Sequence, residues 1–443
     1  MSDMLKRKVW DDLLAWRQSH RGTALLVSGA RQVGKTYLLR QLVEAEYASF
    51  VEVNLQAQSA IAQALSRARD ADEIMSIISA SATAPLQPGA SAIFIDEVQA
   101  VPELVTQIKF LVQKYDYDFI LSGSLLGVEL HNVRSLPVGY VHPITLYPLD
   151  FEEFCWAEGV QPEVIETVRA SCLAGEPILQ FLYDKFLAHF RRYLVTGGMP
   201  AAVEAFVDTH DVASVRTIQR DILTLYKADI SQYAPVEQRL VIQQIFGLLP
   251  AQLLRENKAF TLADIPNVRQ YSRVSDEFEW LTAAGVVLRA NRVLSGEKPV
   301  GLSVSPAKFK LFASDIGLLT SNFSAHVDVA VLSGQKPEMN LGGAYEIFVM
   351  QELVAHGGQP VYYSRRPIGE LDLLVESSIG TVSVFEVKSG ENYRTHHALT
   401  NALKADNFDI DRAVVLAETN VDQVGPVTYL PVFCVGLLSD QFL

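Results

Sequence analysis

Three short apolar runs mark the first third of the chain: TALLVS at 23–28, AIFID at 92–96 and FILSGS at 119–124. None alternates polar with apolar residues, which is the pattern of parallel strands covered on both faces. YLLRQLVEAE, soon after the first run, has the three-to-four spacing of an amphipathic helix. That spacing dominates from about 151 to 235, where FEEFCWAEG and ILQFLYDKFLAHFRRYLV read as helices and GGMP at 197–200 breaks the pattern. Between 237 and 320 the order predicted is helix, short helix, helix, then strands, with VIQQIFGLLPAQLL and RVSDEFEWLTAAG ahead of VVLRANRVLS. The last hundred residues predict a helix (GAYEIFVMQELVAHG), three strands (PVYYSR, ELDLLVE, TVSVFEVKS), a second helix (YRTHHALTNALKA) and a strand (RAVVLAE). The expected class is therefore α/β, in four segments bounded at 1–150, 151–236, 237–325 and 326–443.

Composition narrows the picture. The chain has 443 residues, too many for one ordinary core, and is 49% hydrophobic and 20% charged, as a folded protein should be. No apolar run reaches ~18 residues, so no membrane span is expected. MSDMLKRKVWDDLL lacks the continuous apolar stretch of a secretory signal. Cys155, Cys172 and Cys434 show no metal-ligand spacing and read as buried thiols of a reducing cytoplasm. The net charge of −14 argues against a surface that coats nucleic acid, so any DNA contact must come from local patches.

The first strand–loop–helix carries GARQVGKT, Gly29 to Thr36, with the G-x-x-x-x-G-K-[ST] spacing. Gly29 and Gly34 let the backbone curl, so that N–H groups through Gln32 and Val33 point inward at phosphate oxygens. Lys35 brings a point charge to the outer phosphates, and Thr36 offers its hydroxyl to Mg²⁺. This predicts a site for ATP or GTP, with ATP the expected cofactor. Asp96, at the end of the second apolar run, would hold Mg²⁺ through water, and Glu97 could polarise an attacking water. Ser122 and Ser124 end the third run, with Ser124 preferred as the contact to the γ-phosphate or the water.

A second chemical pattern lies in GELDLLVESSIGTVSVFEVKSG, where buried-looking strands carry Asp372, Glu386 and Lys388. Asp372 and Glu386 are candidate ligands for one or two divalent cations, and Glu346 on the preceding helix could reach the same metal. Lys388 shares a strand face with Glu386 and could orient water or stabilise charge on a phosphate. Glu370 sits two residues before Asp372 and could join them. Arg365, Arg366, Arg394, His396 and His397 could form a cleft patch, although the histidines read better as solvent-facing on their helix. Between 338 and 443 six Lys/Arg oppose fourteen Asp/Glu, a net of −8, which suits a polyanion poorly.

GARQVGKT, FIDE, LSGSLL, YPLDFEEF and YLVTGGMP, in that order, resemble the AAA-type ATPases whose C-terminal half is a domain of unknown function (DUF4143-like), with related archaeal ATPases sharing the layout. The resemblance covers about residues 5 to 440. It implies a P-loop NTPase core, a helical lid, a winged-helix-like middle and a C-terminal domain similar to PD-(D/E)xK nucleases. The helix, strand and charge order of the C-terminal segment matches that nuclease core. Such relatives carry a Gly-Arg ahead of the P-L-x-F segment, where this chain has Gly139-Tyr140; Arg134 is the substitute considered. The missing arginine puts ring assembly and trans-activated hydrolysis in doubt. In the lid, Arg191, Arg192, Arg216 and Arg220 are candidate phosphate sensors. The expected recognition helix of the middle segment carries Arg269 and Arg273 but also Asp276, Glu277 and Glu279, and protein packing is preferred there to DNA binding. Two functions follow as expectations. The leading one is an ATPase that gates a metal-dependent nuclease acting on DNA. The alternative is a nucleotide-switched interaction protein whose nuclease-like domain does not cut, with a protein partner or a second copy of the chain.

Overall fold

The computed structural model describes residues 5–19, 22–124, 128, 137, 139–335, 337 and 339–443. These fall into two compact units, one built from Arg7–Tyr147 with Ala283–Gly285, the other mainly from Pro148–Thr282 and Val286–Leu443. No helix among the described residues is long and apolar enough to cross a membrane.

The first unit is a five-stranded sheet, parallel throughout: β1 (Ala24–Ser28), β2 (Ser49–Asn54), β3 (Ser91–Asp96), β4 (Asp118–Ser122) and β5 (Val141–Thr145), in the order β2-β3-β4-β1-β5. Every residue of β3 is buried, which is why its apolar run does not alternate. Ile93, Ile95, Phe119 and Leu121 pack against Ile74, Ile78, Leu104 and Ile108 of the covering helices. Because the strands are parallel, β1, β3 and β4 end at one edge and bring their following loops together there.

The second unit holds a mixed eight-stranded sheet: β6 (Val287–Val293), β7 (Val304–Ala313), β8 (Val361–Arg365), β9 (Gly369–Glu376), β10 (Val382–Val387), β11 (Arg412–Ala417), β12 (Asp422–Val424) and β13 (Val427–Pro431), ordered β12-β13-β11-β10-β9-β8-β6-β7. β8, β9 and β10 form an antiparallel meander, β11 and β13 extend it in parallel, and β6 joins β8 through a short parallel seam. The β6–β7 hairpin, expected as a wing, is thus part of the same sheet as the C-terminal strands. Arg269 and Arg273 do not lie on the helix Ser275–Ala283 but precede it, Arg273 on the 3-10 turn Tyr271–Arg273. Glu277 is buried, and Glu279 pairs with Arg289 at 2.7 Å. The second C-terminal helix is also shorter than expected, His397–Ala402, and β12, β13 and a closing helix, Cys434–Phe442, follow where no element was predicted.

PLDFEEF, from Pro148 onward, and GGMP belong to this unit's core. Phe151 is fully buried and meets Phe348 edge-on at 5.9 Å and Phe433 at 6.2 Å. Gly198 packs so closely on Leu149 that a Cβ would lie 2.0 Å from its carbonyl oxygen. Cys172 and Cys434, far apart in sequence, come within 2.7 Å at their sulfurs, both buried.

Candidate functional site

The phosphate loop follows β1 and runs into the helix Lys35–Glu46. Gly29 has φ +142°, and a Cβ there would lie 2.2 Å from the Leu146 carbonyl oxygen, so only glycine fits. Gln32 (φ 70°) and Gly34 (φ 93°) both take the left-handed conformation that curls a backbone into an anion-binding concavity. Val33 is fully buried and its carbonyl accepts from Arg7 Nη1 at 3.2 Å, while Arg7 Nη2 donates to the Tyr147 carbonyl at 2.7 Å. Lys35 Nζ donates to the Ala30 and Gly29 carbonyls at 2.8 and 3.0 Å. Burial pushes its pKa down to about 8, against the pull of Glu97 and Asp96. Two neutral carbonyls hold this ammonium, and an anion entering the loop would outbid them on charge.

Asp96 is the hub at the ends of β1, β3 and β4. Its Oδ2 accepts from Thr36 Oγ1 at 3.0 Å and Asn54 Nδ2 at 2.9 Å, and its Oδ1 accepts from Ser122 Oγ. Burial raises its pKa despite these hydrogen bonds. Glu97, at φ 56°, accepts from Gln99 Nε2 and from Ser124 Oγ at 3.3 Å. The structure thus brings Gly29, Gln32, Val33, Gly34, Lys35, Thr36 and Asp96 into one constellation, and ties Ser124 to Glu97. Thr36 and Asp96 offer the hard oxygen donors that suit Mg²⁺, and the cradle at Gly29 has room only for backbone. Asn54, Gln99 and Arg7 were not foreseen. Asn54 had a signal, since a polar residue ends the apolar strand VEVN in register with Asp96. Arg134 lies outside the described residues.

The second constellation lies in the C-terminal unit. Glu370 and Asp372 share a face of β9, and the register of Leu373 opposite Phe385 puts Asp372 beside Glu386 on β10. Glu346 arrives on the helix Gly342–Ala355 and is fully buried. The feature that sequence reasoning missed is Lys310 of β7. Its amine lies 2.6 Å from Glu346 Oε1, 2.8 Å from Glu370 Oε1 and 3.9 Å from Asp372 Oδ1, with 0% exposure. Lys258 Nζ lies 2.5 Å from Glu346 Oε2, outside hydrogen-bond geometry, and Lys388 Nζ donates to Glu386 Oε1 at 2.6 Å. Asp372 Oδ2 accepts the Val387 N–H at 2.9 Å.

The electrostatics follow. Burial alone would pull Lys310 down, but Glu346, Asp372 and Glu370 outweigh it and its pKa is raised. Glu346 is lowered, since Lys310 and Lys258 overcome its burial. Asp372 is raised by burial and then by Glu346. Glu386 is raised to about 7 by burial and then by Asp372, and its Oε2 has no hydrogen-bond partner among the described residues.

Four carboxylates therefore face three ammonium groups. A divalent cation added to them would leave an excess of positive charge in a buried cluster, so the residues as placed do not fit one. Among the described residues, the three-donor group whose ligand atoms lie within 4.8 Å is instead Asp150, Glu352 and His356. That group caps a helix: Glu352 accepts the Phe151 N–H at 3.0 Å and Asp150 the Glu153 N–H at 2.8 Å.

The outlying candidates are mostly engaged. Arg394 pairs with Asp422 at 2.6 Å, His396 Nε2 meets the Tyr429 hydroxyl at 2.7 Å, and Arg365, Arg366 and His397 are exposed. Arg216 is buried against Asp328, Arg191 pairs with Glu418 at 2.6 Å and Arg192 with Glu158 at 3.2 Å, while Arg220 is exposed.

Family models match three stretches: an AAA domain over residues 21–155, a domain of unknown function (DUF8612) over 187–326, and a domain of unknown function (DUF4143) over 341–434. The parallel sheet, the glycine loop and the AAA match define an AAA-type P-loop protein. More narrowly, the chain carries an AAA domain followed by a C-terminal DUF4143 domain. No curated protein matches the sequence. Similar solved structures include the Walker-type ATPase PABY2304 of Pyrococcus abyssi, at 14% identity and TM-score 0.43, covering 72% of this chain and 96% of that one. The RuvB Holliday junction branch migration motor of Thermotoga maritima follows at 18% identity and TM-score 0.27, covering 65% and 88%. Cdc6p of Pyrobaculum aerophilum stands at 14% and 0.26, covering 75% and 97%. At these scores the likenesses carry no argument of their own.

Proposed function

We propose that this protein is an ATP-hydrolysing switch whose nucleotide state is read out by a nuclease-like C-terminal domain that does not cut. The observation that carries the ATPase half is the Asp96 hub. One carboxylate gathers Thr36, Asn54 and Ser122, with Glu97 next to it and Lys35 bound across the loop. Thr36 and Asp96 would hold Mg²⁺, which neutralises phosphate charge when bound. Lys35 and the loop N–H groups bind phosphate oxygens, and Glu97 accepts a proton from water as its general base. Turnover of ATP with Mg²⁺ tests this half. Lys35→Ala should abolish binding. Glu97→Gln should keep binding and lower turnover by roughly 10²-fold or more. Equal turnover in Glu97→Gln and wild type would remove Glu97 from the chemistry.

Lys310 favours the non-cutting reading of the C-terminal domain, since its ammonium neutralises carboxylates that a nuclease would offer to metal. The partner then read is a protein, a second copy of the chain, or DNA held without cleavage. One observation favours the cutting reading: Glu386 Oε2 is buried without a hydrogen-bond partner among the described residues, close to Lys388. Plasmid nicking in Mg²⁺ or Mn²⁺ separates the two. Nicking that is lost in both Asp372→Ala and Lys388→Ala, with ATP turnover intact, would replace the proposed reading with the nuclease.

A further inference from the structure

We infer that the carboxylate cluster of the C-terminal domain is internally neutralised: the Lys310 ammonium, with Lys258 beside it, takes the charge role of a divalent cation and so keeps one out. This rests on the nuclease-like reading of that domain and deepens it.

The argument is one of charge and reach. Among the described residues Lys310 is the sole fully buried lysine, and it is placed there by a strand whose neighbours Phe309, Leu311 and Phe312 are core residues. A lysine is tolerated at such a place only where carboxylates compensate it. Its amine touches Glu346 and Glu370, acids from a helix and from β9, and its charge faces Asp372. Both oxygens of Glu346 lie against ammonium groups, so that side chain has no free donor for a metal. The cluster counts Glu346, Glu370, Asp372 and Glu386 against Lys258, Lys310 and Lys388. Removing Lys310 leaves four carboxylates against two ammonium groups, a balance that one dication restores. The two lysines at Glu346 come from the middle segment, not from the nuclease-like strands. The hairpin bearing Lys310 meets those strands at only two register pairs, Arg292 with Tyr362 and Val293 with Tyr363. The middle segment therefore acts as a plug that supplies the neutralising charge.

The test is Mn²⁺ binding to the full chain without nucleotide, read by titration calorimetry and by thermal stabilisation, which rises with ligand occupancy. Asp372→Asn serves as the reference that removes any site in this cluster and leaves ions at the phosphate loop unaffected. Wild type and Asp372→Asn should bind Mn²⁺ alike. Lys310→Met should gain a site roughly tenfold tighter or more, given the loss of a unit positive charge at contact distance, and the double variant Lys310→Met with Asp372→Asn should lose it. If the methionine variant does not fold, Lys310→Gln replaces it, and the wild-type comparison stands alone in any case. An Asp372-dependent Mn²⁺ site in the wild type overturns the proposal and leaves the nuclease-like reading intact. A folded Lys310 variant that gains no cation overturns both, because the acids would then not be organised around a cation-sized place.

Discussion

Replacing Asp315 by asparagine removes a carboxyl that is fully buried where the GGMP turn meets the end of β7. Its oxygens accept the Gly198 N–H at 2.6 Å and the Leu318 N–H at 2.9 Å. Burial pushes its pKa up to about 6 from 3.8, against those backbone hydrogen bonds. The folded protein therefore holds this proton more tightly than the unfolded chain between about pH 4 and pH 6. The stability so contributed is complete below the unfolded pKa and is lost as pH rises through about 6. At ~1.4 kcal/mol per pH unit, one unit below the folded pKa restores about 1.4 kcal/mol relative to pH 7.5. Asparagine cannot titrate, and with one oxygen in place of two it leaves an N–H without its acceptor, at a cost of about 1–3 kcal/mol at any pH. Urea unfolding of both proteins at pH 7.5 and pH 5.0, at one ionic strength, gives the difference between them, in which other titrating groups cancel. That difference should move by about 1.4 kcal/mol in favour of the wild type at pH 5.0. A difference flat to within a few tenths would refute the claim that burial raises the Asp315 pKa above its ordinary value.

Gly198→Ala should destabilise by more than about 3 kcal/mol, because its Cβ would strike backbone that cannot swing aside, whereas Gly247→Ala, in a helix with open space around it, should be neutral or stabilising in thermal unfolding. Arg216→Met strands Asp328 as an unpaired buried charge and should cost about 3–5 kcal/mol, most of it recovered when Asp328→Leu is added; failure of the second change to rescue would show that the Arg216 bonds to Val195 and Gln219 matter more. ATP affinity, measured with a fluorescent analogue, should fall by roughly tenfold or more between pH 7 and pH 9.5 as Lys35, held near 8 by burial, loses its charge, and a flat profile would count against that lysine.

What the sequence made legible was contiguous. The phosphate loop is eight residues long, and its glycines, lysine and threonine come together because they stand together in the chain. Asp96 and Glu97 were readable because a parallel strand of buried residues must end at the sheet edge where its neighbours' loops gather. Asp372, Glu386 and Lys388 were readable because side chains on a strand repeat with period two. What was not legible depends on long-range packing. Lys310 lies 36 residues before Glu346, and the two meet because the helix Gly342–Ala355 packs against the β6–β7 hairpin. The contact of Cys172 with Cys434 spans 262 residues and depends in the same way on how distant helices pack.

Lys310 nevertheless carried a signal of the same kind that drew attention to the acids. AKFKLFA sets a charge inside a run whose neighbours are core residues, as ELDLLVE and VFEVKS do. A buried charge demands an opposite one, so three such runs in one compact unit should be matched with one another before any of them is matched with an absent metal. Applied that way, the rule assigns Glu346 and Glu370 to Lys310, Glu386 to Lys388, and leaves Asp372 to a backbone N–H. The net of −8 between residues 338 and 443 then needs no cation to explain the buried acids, since the lysines at Glu346 come from outside that span. Its excess acidity lies elsewhere, at exposed residues such as Glu391, Asp406 and Asp409, and both the electrostatic argument and the geometric one support the non-cutting reading proposed above.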